Sequence, residues 1–133
     1  GKVSRDFTYI SDLIKAILLL IECPPRKITK IKNDSLSPVA PHRIVNIGNS
    51  HKVTVEQFIN AFELALDKKA KKNFIKKQIG DVNATWADIT LLKDLTGFQP
   101  SISVKLGVKK FCDWYLNNYN KKVKFLKFID IIY

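Results

Sequence analysis

Methionine is missing from the whole sequence, position 1 included, and Gly1-Lys2-Val3-Ser4 runs straight into a motif-bearing segment. The expectation is a part of a longer polypeptide. Glycine is scarce and scattered, at positions 1, 48, 80, 97 and 107, with no G-x-x-G-x-x-G and no P-loop to wrap a phosphate in backbone N–H groups. No tyrosine stands four residues before a lysine: Leu13 follows Tyr9 at that spacing, Tyr119 follows Tyr115 and Val123 follows Tyr119. A Tyr-x-x-x-Lys acid–base pair is therefore excluded within this chain. Cys23 and Cys112 are far apart, and His42 and His51 have no third ligand near them, so two reduced thiols and no zinc site are expected. No apolar run reaches the roughly 20 residues that cross a bilayer, and none has a secretory layout, so a cytoplasmic chain is expected.

Acidic residues are also few: 12 against 23 basic, a net charge of +11 in 133 residues that are 46% apolar. That length and apolar content suit one globular domain or a large piece of one. Lysine supplies 20 of the 23 basic residues, with a cluster at Lys68, Lys69, Lys71, Lys72, Lys76 and Lys77. Readers of nucleic acid favour arginine forks and interleaved aromatics, and only Phe74 lies within this cluster. A solvated basic face is the expected role, with attraction of a doubly anionic sugar nucleotide as a secondary one. A non-catalytic basic module that binds nucleic acid or anionic surfaces stays as the alternative from another class.

Residues 12 to 22 read as a helix, capped by Ser11 or Asp12 and stopped by Pro24-Pro25. It is apolar almost all round and should be buried on most faces, as if packed against a larger sheet. Should that sheet be absent, the helix exposes apolar surface and a homodimer is possible. Residues 24 to 42 hold four of the five prolines and read as a surface loop. Arg43 to Ile47 is expected as a short strand ended by Gly48-Asn49-Ser50. Thr54 with Gln57 forms a capping box for a helix whose stripe is Val55, Phe58, Ile59, Phe62, Ala65 and Leu66. Phe74-Ile75 is assigned to a strand. Asp88 should cap a helix ending near Leu95, with Gly97 left-handed behind it. Ser103 should cap the last helix, on which Val104, Val108, Phe111, Tyr115 and Leu116 share a face. The tail from 120 to 133 alternates lysine with apolar residues and has no clear assignment. The order helix, strand, helix, strand, helix, helix is an α/β unit with too few strands for a complete dinucleotide fold.

Three residues offer binding chemistry. Arg5 precedes an extended aromatic stretch and can grip phosphate oxygens bidentately, or else pair with Asp6 or Asp12. Asp81 after Gly80 can present its carboxylate to sugar hydroxyls, or simply form a turn. Gln78 is a neutral donor and acceptor, or an ordinary surface residue.

Four segments together carry a resemblance. Arg5-Asp6-Phe7-Thr8-Tyr9-Ile10 with Asp12 resembles the Arg-Asp-Phe/Tyr-x-x-Ile/Val-x-Asp segment of nucleotide-sugar epimerases. Asn46-Ile47-Gly48-Asn49-Ser50 resembles their Tyr-Asn-Ile-Gly-Asn strand and turn, with Val45 in place of the usual Tyr. Gln78-Ile79-Gly80-Asp81-Val82 with Thr85, Ala87 and Asp88 resembles the Gln-Pro-Gly-Asp-Val-x-x-Thr-x-Ala-Asp segment of UDP-glucuronate 4-epimerases. Gly97-Phe98-x-Pro100, followed by Gly107, Phe111, Trp114 and Tyr115, completes the set. The chain thus resembles, over residues 1 to about 119, the carboxy-terminal part of the extended short-chain dehydrogenase/reductases that epimerise UDP-sugars. Ile79 departs from the usual Pro and Trp86 from the common Tyr or His.

The resemblance implies a small mixed helix–strand, substrate-binding half of such an enzyme, without its amino-terminal Rossmann domain. Arg5 would contact the diphosphate, while Gln78 and Asp81 would hold the uridine ribose or neighbouring oxygens. In the complete family enzyme a Tyr–Lys pair removes the 4-hydroxyl proton while hydride passes to NAD, and hydride then returns to the other face of the 4-keto sugar. No catalytic residue and no NAD site are assigned to this chain, which should be inactive by itself. A role in capsular polysaccharide precursor synthesis fits best; another UDP-hexose epimerase or a dehydratase is the alternative.

Overall fold

The computed structural model describes residues 3–26, 31–75 and 80–119. Along the chain run β1 (Ser4–Asp6), α1 (Ile10–Ile21), β2 (Lys52–Thr54), α2 (Val55–Leu66), α3 (Thr90–Thr96) and α4 (Val104–Tyr119). They fall into two compact units. The first takes residues up to Arg5, Val53–Thr85 and the chain from Ser103; the second takes Asp6–Lys52 and Trp86–Ile102.

In the first unit β1 pairs with β2 in a two-stranded sheet, and the Val55 N–H donates to Val3 O at 3.1 Å where β2 runs into α2. That junction is the capping box read from sequence. Thr54 Oγ1 accepts the Gln57 N–H at 3.1 Å, and Gln57 Oε1 accepts the Thr54 N–H at 2.8 Å. Phe58, Phe62, Ala65 and Leu66 then line up, at helical spacing, over the buried Ala61, Val108 and Cys112. Ser103 caps α4 as expected, accepting the Leu106 N–H at 3.3 Å. Asp67 closes α2 in the left-handed region at φ 49°. Glu63 organises the lysine-rich segment that follows: it accepts the Ala70 N–H at 3.0 Å and the Lys69 ammonium at 3.1 Å, with Lys72 at 3.8 Å.

In the second unit α1 and α3 enclose Ala16, Ile89 and Leu92, with Leu20, Val45, Ile47, Ala87 and Phe98 packed around them. Gly97 ends α3 in the left-handed region at φ 66°, as expected. Asp88 does not take the expected cap position of α3: Ile89 stands there, and Asp88 instead accepts both the N–H and the hydroxyl of Thr90, the first residue of the helix, at 2.9 and 2.6 Å.

Four further expectations change. Residues 43–47 join no ladder; Val45 and Ile47 pack against the buried cluster while Ile44 is 66% exposed. This stretch is held by side chains instead, with Ser35 Oγ accepting the Ile44 N–H at 3.0 Å and Arg43 gripping Asp34. Phe74-Ile75 is not a strand either: Phe74 is 76% and Ile75 45% exposed, and neither joins a ladder. The α1 cap is neither Ser11 nor Asp12. Tyr9 takes the cap position but its side chain does not cap the helix, and Asp12 is drawn inward. Finally, α1 is not buried on most faces. Its buried residues are Asp12 and Ala16, and Ile10, Ile14, Ile17, Leu18 and Ile21 are all exposed. No helix among the described residues is long and apolar enough to cross a membrane. The tail from 120 to 133 lies outside the described residues.

Candidate functional site

Arg5 owes its position to backbone pairing on β1. Ser4 forms a parallel bridge with Ala84: its N–H donates to Asn83 O at 3.0 Å, and its carbonyl accepts the Thr85 N–H at 3.2 Å. The turn that opens with Gly80 is thereby laid beside the strand. Gly80 sits at φ 92°, a region that side-chain-bearing residues rarely adopt, and this lets the chain reverse into Asp81. Arg5 Nη2 donates to Asp81 Oδ1 at 2.5 Å, while Nη1 donates to Val82 O at 3.0 Å and to Ser4 O at 2.9 Å. The two side chains are 24% and 30% exposed, so the pair is open to solvent on one side. A partly exposed ion pair adds little to stability, and the two carbonyl contacts also hold the guanidinium in place.

Two of the three expected binding residues are thus in direct contact, 76 positions apart in sequence. Neither alternative partner of Arg5 holds it, because both are committed to backbone amides. Gln78 lies outside the described residues.

The second unit contains a feature that residue-type reasoning missed. Asp6 Oδ1 accepts the Asn49 N–H at 3.0 Å, and Oδ2 accepts the N–H groups of Ser50 and Ala87, each at 3.0 Å. A carboxylate holding three amides is a strong local anchor, since each bond is charge-assisted. It also explains Gly48. A Cβ there would collide with the Ala87 Cβ and stand 2.7 Å from Asp6 Oδ2. Ser50 Oγ donates to Ala87 O at 2.7 Å, and the buried Asn49 side chain donates to Ile102 O at 3.2 Å. Asp12 does the same work nearby, its Oδ2 accepting the N–H groups of Ser101 and Ile102 at 2.8 and 2.9 Å. The available signal was the spacing of Asp6 and Asp12 within the resembling motif, not their chemistry alone. Trp86, 57% exposed, carries the Lys52 ammonium 3.5 Å from its ring centroid.

Among the described residues no group of acidic, histidine or cysteine side chains could hold a metal ion. The glycines do not fit a dinucleotide phosphate cradle. Gly48 is filled by its neighbours, while Gly80 and Gly97 are isolated turn positions.

No family model matches the chain. Among curated proteins it is similar to a probable UDP-glucuronate 4-epimerase of Rhizobium meliloti, 42% identical over 125 residues, which are 91% of this chain and 37% of that protein. It is also similar to the protein CapI of Staphylococcus aureus, 38% identical over 125 residues, again 91% of this chain and 37% of that one. Among solved structures, the UDP-glucuronic acid 4-epimerase of Bacillus cereus in complex with UDP-glucuronic acid and NAD superposes with a TM-score of 0.69 at 29% identity. That match covers 90% of this chain and 34% of the other. The chain spans about a third of the length of the relatives it matches.

Proposed function

Because the chain is, over nine-tenths of its length, a relative of part of the UDP-glucuronate 4-epimerases, we propose that it supplies the UDP-sugar-binding part of an NAD-dependent nucleotide-sugar epimerase. Residues 1–119 form that part, with 24–42 as a surface loop. Arg5 binds the diphosphate, and Asp81 with Gln78 holds the uridine ribose or adjacent oxygens. The reaction served is epimerisation at C4 of a UDP-glucuronate-like substrate, with a place in cell-surface polysaccharide precursor synthesis. The partner is a Rossmann-type half that brings NAD and the acid–base residues; this chain alone is inactive.

The observation that carries the reading is the Arg5–Asp81 contact, a donor fork beside an acceptor on a backbone-fixed strand and turn. A guanidinium already pinned by two carbonyls loses little freedom when it meets a diphosphate. The carboxylate next to it supplies acceptor atoms for hydroxyls. In the complete enzyme such a clamp sets the sugar against the reacting atoms, and positioning of this kind is worth roughly 7–11 kcal/mol of barrier.

Calorimetric titration of the chain with UDP and UDP-glucuronate tests this. Weak binding is expected, lowered by Arg5→Ala and by Asp81→Ala and unchanged when Lys71 and Lys72 are replaced together. Binding lost with the lysines and kept in the other two variants would contradict it.

A further inference from the structure

The two sides of the Arg5 guanidinium are held differently. Nη1 is committed to backbone, donating to Ser4 O at 2.9 Å and to Val82 O at 3.0 Å. Nη2 donates to a side chain, Asp81 Oδ1 at 2.5 Å, and Nε has no acceptor among the described residues. Asp81 Oδ2 likewise makes no bond among the described residues, and the two side chains are partly open to solvent. The guanidinium is thus anchored through one nitrogen, while the other nitrogen and the carboxylate it meets can exchange partners. An ion pair of this exposure is weak enough to be exchanged. It still cancels charge: to an anion arriving from solvent, a guanidinium touching a carboxylate is a dipole and not a cation.

A chain of net charge +11 collects phosphates of every kind around it, so selectivity has to be local. A bare diphosphate that reaches Arg5 must displace Asp81 from Nη2 or lie against its carboxylate. A ribose diol that takes both Asp81 oxygens must draw Oδ1 away from Arg5. Bound together, each ligand half takes up what the other releases: phosphate oxygens accept from Nη2 and Nε, and the diol donates to Oδ1 and Oδ2. We propose that Asp81 is an internal counter-ion that guards Arg5 and is exchanged only when diphosphate and ribose arrive together, so that the two ends of a nucleoside diphosphate are read as one ligand. This rests on the functional reading above and adds to it how the site refuses inorganic phosphates. The coupling is reciprocal: uridine strengthens pyrophosphate binding by the factor by which pyrophosphate strengthens uridine binding. The pair of carbonyls on Nη1, fixed by the bridge between Ser4 and Ala84, keeps the guanidinium in place during the exchange.

The test titrates the labelled full chain with inorganic pyrophosphate, uridine and UDP, reading affinities from the Ser4 and Val82 amides by NMR. Asp81→Asn keeps the shape of the side chain and removes its charge. It should bind pyrophosphate about fivefold more tightly than the wild type and UDP more weakly, opposite signs from one substitution. In the wild type, saturating uridine should tighten pyrophosphate binding by a similar factor, and Asp81→Asn should lose that enhancement. Asp67→Asn removes the same charge at the end of α2 and should leave pyrophosphate affinity unchanged. Unmoved Gln57 and Ala61 amides show that each variant is folded. No pyrophosphate gain in Asp81→Asn overturns the proposal, as does an equal gain in Asp67→Asn or a gain that survives the addition of Arg5→Ala. UDP binding by the wild type with no effect of uridine on pyrophosphate also overturns it. A wild type that binds no UDP contradicts the functional reading, while a pyrophosphate gain that Arg5→Ala abolishes still upholds Asp81 as the guard of Arg5.

Discussion

The Ala87 N–H donates to Asp6 Oδ2 at 3.0 Å across 81 positions of sequence. The same carboxylate takes the N–H groups of Asn49 and Ser50, so three of the four resembling segments converge on one side chain. The spacing of these motifs along the chain is therefore a requirement of packing around Asp6 as well as of ligand chemistry.

Asp6→Ala should be the most damaging single change among the polar residues. It leaves three amides without their acceptor, and a loss of about 3 kcal/mol or more is expected. Urea denaturation followed by circular dichroism measures it. Wild-type stability in this variant would show that the anchor is dispensable.

Gly48→Ala tests the same packing from the other side. The new methyl meets the Ala87 Cβ and Asp6 Oδ2, so backbone or carboxylate must shift. A destabilisation of about 2–3 kcal/mol is expected. Gly80→Ala meets no neighbour, but its positive φ makes the change strained and should cost about 1 kcal/mol. The order of the two losses is the check.

The Thr54–Gln57 box and the left-handed Gly97 were legible because capping depends on residues within four positions of one another. The strands were not. β1 and β2 are three residues each, too short for an alternating pattern, and their existence depends on pairing with distant segments. Asp12 looked like a cap because its place in the sequence suits one; its actual acceptor role toward Ser101 and Ile102 is tertiary. Arg5 and Asp81 were legible one by one, through the resemblance, but their contact depends on the parallel bridge between Ser4 and Ala84.

Asp34 gives a pH prediction. Arg43 donates from Nε and Nη2 to its two oxygens, each at 2.8 Å, and the Leu36 N–H adds a third bond. The guanidinium bonds first, and then the amide, hold this carboxyl below its ordinary value of 3.8. A carboxylate depressed in the folded state contributes stability above its ordinary value and loses it as the pH falls through the folded one. The loop from 34 to 44 should keep its structure at pH 5 and loosen only below pH 3.8. An NMR titration of the Leu36 amide reads this, and Asp34→Asn should remove the transition. A midpoint at or above 3.8 contradicts the assignment.

Capping offers a smaller, local test. Thr54→Ala should lower stability by about 1 kcal/mol, since it removes the acceptor for the Gln57 N–H at the start of α2. Thr54→Ser should recover most of it. Equal losses in both variants would mean that the methyl, not the hydroxyl, matters there.

The central claim is that the strand and turn bearing Arg5 and Asp81 form the seat of a UDP-sugar. An amide-resolved NMR titration of the labelled chain with UDP-glucuronate tests it most directly. The account predicts the largest shifts at Ser4, Arg5, Asp81, Val82 and Thr85, saturating together. Shifts confined to Lys68, Lys69, Lys71 and Lys72, with the Arg5 and Asp81 amides unmoved, would contradict it and identify the chain as a basic anion-binding module instead.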